Sequence, residues 1–143
     1  MPDRIEYLAH CHCGNLSARY RTAVAPPAWP VRSCQCSFCR SHGLLATSDP
    51  EGEMEFRGID ADKVQRYRFG GRTADVMLCR ECGVVVGVQM ETDRGRFGVL
   101  NVLALRPLLA LPAAQPMEYG AETGDARQAR RASRWTPVTA GSL

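Results

Sequence analysis

Seven cysteines fall in three tight groups, and their spacing constrains this chain more than any other feature. Cys11-His12-Cys13-Gly14 and Cys79-Arg80-Glu81-Cys82-Gly83 are close pairs, each followed by glycine. Cys34-Gln35-Cys36-Ser37-Phe38-Cys39 sets three thiols within one short segment. An odd count leaves one thiol over in any disulfide framework. The opening Met1-Pro2-Asp3-Arg4-Ile5-Glu6 carries acidic residues where a secretory signal carries basic ones, and no apolar run follows. A cytoplasmic location is therefore the expectation, and there thiols stay reduced and metal ligation is the leading reading.

The two pairs together supply four thiolates, which suits a closed tetrahedral zinc site on Cys11, Cys13, Cys79 and Cys82. The glycines permit the positive φ that a chain folded around a metal needs. One ion held this way would tie the start of the chain to its middle and offset the entropy of that long loop. Cys34, Cys36 and Cys39 can grip one side of a second zinc while leaving its fourth position open, and an open position is where zinc acts on a substrate thiol, water or carbonyl. His42 is the alternative fourth ligand, which would make this second site purely structural. A redox Cys36-x-x-Cys39 is a third reading, without the βαβ pattern that accompanies such motifs. His10 and His12 flank ligands of an ion whose four positions are already filled, so a supporting or solvent-facing role is expected for them.

Ile5, Tyr7 and Ala9, and then Leu16, Ala18 and Tyr20, alternate with polar residues in the period of half-buried strands, which puts the first cysteine pair at a hairpin tip. Pro26, Pro27 and Pro30 make a loop around Trp29. Short strands are predicted through Met54 and Phe56, through Gln65, Tyr67 and Phe69, from Ala74 to Leu78, at Val84–Val86 and from Arg96 to Leu105. Asp125 to Trp135 lacks glycine and proline and predicts a short helix that stops before Pro137. The class is all-β with a short C-terminal helix, in one domain of 143 residues.

Hydrophobic residues at 45% and a net charge of +3 fit a soluble globular protein and do not call for nucleic acid as partner. Asn101, Arg106 and Pro107 interrupt the most apolar stretch, Val99 to Leu111, so no membrane span is expected. Arg127, Arg130, Arg131 and Arg134 recur at helical spacing and would form a basic stripe. The simplest reading of the stripe is a solvated face; the sharper ones are a dock for a ligand's carboxylates or for phosphates. Arg40 is placed to balance the charge of the three-cysteine group or to hold a substrate carboxylate. Tyr20, Trp29 and Phe38 read as core or pocket wall, and Trp135 as the residue that packs the terminal helix down.

The ordered set Cys-x-Cys-Gly, Cys-x-Cys-x-x-Cys-Arg and Cys-x-x-Cys-Gly resembles the glutathione-dependent formaldehyde-activating enzyme family, which includes centromere protein V. The match runs from Tyr7 to Met90, with Tyr67-Arg68-Phe69 as a weaker agreement. Gln35 stands where many members have histidine. The resemblance implies a β-tent fold of short antiparallel strands, with a motif core over 7–105 and a divergent extension over 106–143. It also implies a structural zinc on Cys11, Cys13, Cys79 and Cys82, and a catalytic zinc on Cys34, Cys36 and Cys39. The activity it implies is that of a carbon–sulfur lyase joining a thiol such as glutathione to formaldehyde.

Overall fold

The strand alternation read from the sequence is present in the computed structural model, which describes residues 3–143. Strand β1 (Ile5–His10) and β2 (Leu16–Thr22) form an antiparallel hairpin with Cys11 and Cys13 in its turn. Every second residue of β2 (Leu16, Ala18, Tyr20, Thr22) is buried and the intervening ones are not, as a one-sided strand requires. β3 (Arg32–Cys34) leads through Gln35 and Cys36 into helix α1 (Ser37–His42), and β4 (Ala46–Thr47) and β5 (Glu53–Gly58) follow. β6 (Val64–Tyr67), β7 (Asp75–Cys79), β8 (Val85–Thr92) and β9 (Gly95–Asn101) make an antiparallel meander. The chain closes with β10 (Gln115–Met117), helix α2 (Gly124–Arg134) and β11 (Thr136–Val138).

β9 is the hub of this all-β arrangement. One edge pairs with β8, while the other is shared between β11, at Arg96–Gly98, and β4, at Leu100 and Asn101. From β11 the sheet continues through β5 and β2 to β1; from β4 it continues through β3 to β10. Two pairings depart from the antiparallel expectation: β10 runs parallel to β3, and β11 parallel to β5. Both parallel strands come from the 106–143 segment, so this extension is built into the sheet.

Leu16, Ala18, Tyr20, Phe56, Met77, Val86 and Leu100 fill the main core. Trp29 packs edge-on against Tyr7 and Tyr20, with ring centroids 4.9 and 5.3 Å apart, and its indole N–H donates to the Val24 carbonyl. Such edge contacts add about 0.5–1.5 kcal/mol beyond burial. The predicted strand from Arg96 to Leu105 ends early: Asn101 caps a single 3-10 turn at Val102–Ala104, its side chain accepting from the Leu103 amide. Among the described residues, no helix is long and apolar enough to cross a membrane.

Candidate metal centre and cavity

Two turns of like construction bring the four-thiol set together. In the first, the Cys11 amide donates to Leu16 O and the Gly14 amide to Cys11 O; in the second, the Cys79 amide donates to Val84 O and the Gly83 amide to Cys79 O. Gly14 and Gly83 hold φ of 87° and 78°, the conformation that favours glycine at both turns. Backbone amides also point at sulfur, from Leu16 to Cys11 Sγ at 3.2 Å and from Glu81 to Cys79 Sγ at 3.3 Å. The Sγ atoms of Cys11, Cys13, Cys79 and Cys82 lie within 4.8 Å of one another. Cys11–Cys13 is 3.7 Å and Cys13–Cys79 is 3.5 Å. Tetrahedral zinc with Zn–S bonds of about 2.3 Å separates its sulfurs by about 3.8 Å, so the donor set fits zinc. Burial pushes the Cys11 thiol up to about 12. At Cys82 burial also acts upward, but hydrogen bonds from the amides of Cys13 and Val84 and from the thiols of Cys11 and Cys79 together outweigh it and bring the thiol down to about 6. His10 Nδ1 sits 2.6 Å from Cys11 O and His12 is exposed; neither joins the sulfurs.

The three-thiol set sits where β3 meets α1. Cys34 ends β3, Cys36 is the N-cap of α1 with its sulfur accepting from the Cys39 amide at 3.4 Å, and Cys39 lies in the first helical turn. Gly43, left-handed at φ 61°, ends the helix. The three sulfurs lie within 4.8 Å of one another, and among the described residues no further histidine, cysteine or carboxylate joins them. His42, considered from the sequence as a fourth ligand, instead lies tilted against Phe38 with ring centroids 4.3 Å apart and is not gathered with the three sulfurs. A hydrogen bond from Cys39, the amide of Cys36 and the charge of Arg130 bring Cys34 down to about 5 against the opposing effect of burial, while Cys39 is driven up by the same pairing.

All three cysteines line a cavity of about 290 Å³, and none of the other four does. Leu44, Val76, Val88, Val99 and Trp135 give it apolar walls. Phe38 and Phe69 stand on one side, stacked at 5.1 Å. Opposite in character is a basic wall of Arg32, Arg127, Arg130 and Arg131. The α2 stripe is thus turned largely toward the cavity; only Arg134 of the four is exposed, and the solvated-face reading is corrected. Arg40 is exposed and outside the cavity wall, so it is not placed to hold a substrate carboxylate there. Tyr20 and Trp29 are core, and Phe38 is wall.

Sequence reasoning missed Arg32 as a cavity residue, although a signal was available: two residues before Cys34 on one strand, it shares that cysteine's face. Tyr119 gave no comparable signal, since its loop has no periodic pattern. It carries the Arg130 guanidinium 3.6 Å above its ring.

The fold and site define a small β protein with a closed four-thiol cluster and an open three-thiol cluster facing a basic cavity. No family model matches the chain, and no curated protein does. A crystal structure of a Rhodobacter sphaeroides protein, solved as a structural-genomics target, is similar to it at 31% identity, covering 73% of this chain and 97% of that one with a TM-score of 0.55. The chain belongs to one family with that Rhodobacter protein.

Proposed function

We propose that this protein is a zinc-dependent carbon–sulfur lyase-type enzyme that adds a glutathione-like thiol to a small aldehyde such as formaldehyde. The observation that carries this reading is the division of the seven cysteines. The four-thiol set is complete and lies away from the cavity, whereas the three-thiol set has no fourth ligand among the described residues and opens into it. Zinc on Cys34, Cys36 and Cys39 would supply Lewis acidity and lower the pKa of a substrate thiol.

The chain's own residues do the rest. The cysteines leave room for a small ligand, the apolar wall limits water, and the arginine wall favours a substrate carrying negative charge. In the addition, the S–H bond breaks and an S–C bond forms; the carbonyl π pair moves to oxygen, which takes up the proton. No oxidant or reductant is needed. A non-catalytic zinc-stabilised binding module is the other reading. Two observations weigh against it: His42 stays outside the sulfur cluster, and the basic helix turns inward instead of presenting its stripe to a polymer.

The test is metal content of the purified protein, followed by nuclear magnetic resonance of adduct formation from glutathione and formaldehyde. Two zinc ions per chain and a rate above the spontaneous one are expected, with Cys36→Ser removing the second ion and the rate gain. One ion, or two with no thiol-dependent gain, would sink the assignment.

A further inference from the structure

The arginines around the cavity differ in what neutralises them. Arg130 makes a two-pronged pair with Glu122, at 2.8 and 3.0 Å, and Arg127 approaches the same carboxylate at 3.6 Å. Among the described residues, Arg131 has no paired carboxylate. Its Nη1 donates to Thr73 Oγ1 at 3.1 Å, its guanidinium lies 4.9 Å over the Trp135 ring, and its Nε is buried with no partner. Arg32 has none either, donating to Ser48 Oγ at 2.6 Å. Among the described residues, Glu118 is the sole carboxylate in the cavity wall, and it is exposed. Two partly buried guanidiniums without a paired carboxylate are costly to hold.

An anion entering the cavity would relieve that cost, because a guanidinium binds a carboxylate through strong charge-assisted hydrogen bonds. The cavity is at the small end of ligand sites, which run from about 300 to 1,000 Å³, so one short molecule reaches both the arginine wall and the cysteine wall. Resting on the thiol-addition reading, we propose that the substrate thiol bears a carboxylate only a few bonds from its sulfur, and that Arg131 and Arg32 are the carboxylate's seat. The sulfur end meets the three cysteines, and the anionic end is held by the guanidiniums that have no paired carboxylate. Arg130 and Arg127, already paired with Glu122, shape the wall and do not compete for the ligand.

The experiment uses zinc-loaded protein and three probes: mercaptoacetate, mercaptoethanol, which lacks the carboxylate, and acetate, which lacks the thiol. Calorimetry is expected to show mercaptoacetate binding at least about tenfold more tightly than mercaptoethanol. Arg131→Gln and Arg32→Gln are each expected to erase that preference, Arg131→Lys to leave it intermediate because the charge stays and the fork is lost, and the distant Arg94→Gln to leave it intact. Zinc content and circular dichroism check that each variant is folded; should Arg131→Gln fail to fold, Arg32→Gln and Arg131→Lys decide the matter alone. Equal binding of the two thiols, or a preference that survives both glutamine variants, overturns the seat. Formaldehyde addition that runs equally well on mercaptoethanol keeps the lyase and removes the seat. Arginine-dependent acetate binding with no addition to any thiol keeps the seat and removes the lyase.

Discussion

Gly87 shows how little freedom a single position can have in this sheet. It sits in β8 between Met77 of β7 and Leu100 of β9, and a Cβ there would press on the Val99 carbonyl and come within 2.8 Å of Phe56 Cζ. Phe56 is fully buried and the carbonyl belongs to a strand, so neither can withdraw cheaply. Gly87→Ala is expected to cost about 1–3 kcal/mol, read as a lower urea midpoint at unchanged slope. Phe56→Leu in the same chain should return part of that loss, because the two sites share one space and couple. At Gly83 the reason for glycine is different: nothing crowds a Cβ, but φ is +78°. Gly83→Ala is expected to weaken zinc retention at Cys79 and Cys82 by straining their turn, whereas Gly83→Asn, which tolerates the left-handed region, should weaken it less; competition with a colorimetric chelator measures both.

At the scale of elements, α2 depends on a short electrostatic clamp. Thr123 caps the helix, its Oγ1 accepting from the Ala126 amide, while Glu122 holds Arg130 and Arg127 against the cavity. The Arg130 hydrogen bonds hold the Glu122 carboxyl below its ordinary value. A carboxyl with a lowered folded pKa stabilises the fold fully above its unfolded value of about 4.3 and loses that contribution as pH falls through the folded value. Wild type should therefore exceed Glu122→Gln by about 0.5–1 kcal/mol near neutrality, and the two thermal midpoints should converge in acid. The same helix marks the limit of what the sequence discloses. Its arginine stripe is legible as a stripe, but spacing does not say which way a polar face turns, and here it turns toward a cavity lined by partly buried arginines. α1 was not foreseen because it has six residues and a cysteine as its cap, outside the usual capping set. β10 and β11 were hidden by Pro116 and Pro137, which read as strand breakers; each strand is three residues long, and β10 lies at the sheet's edge, where a missing donor costs little. The cysteine turns, by contrast, were fully legible, since ligand, glycine and returning amide all lie within a few residues.

Across the whole molecule, the four-thiol cluster and the sheet reach the same pair of units by different routes. The hairpin β1–β2 joins β7–β8 through the sheet only by way of β5, β11 and β9, whereas Cys13 and Cys79 bring the two units into direct contact at 3.5 Å across 66 residues of sequence. Closing that loop with a metal confers more than a local turn would, because the entropy removed from the unfolded chain grows with loop length. The three-thiol cluster has no such leverage: Cys34, Cys36 and Cys39 lie together on one β3–α1 connection, and a metal there closes almost no loop. Graded chelation should therefore proceed in two stages. The ion on the open cluster, reachable from the cavity, is expected to leave first, with thiol binding lost and the thermal midpoint little changed. The ion on the closed cluster should follow only under harsher chelation, with a large fall in the midpoint, and Cys79→Ser should reproduce that fall while Cys36→Ser does not. Zinc release and unfolding recorded on the same samples check the order. Simultaneous loss of both ions with unfolding would mean that the open cluster contributes to holding the sheet together, and the division of labour between the two sets of cysteines would have to be redrawn.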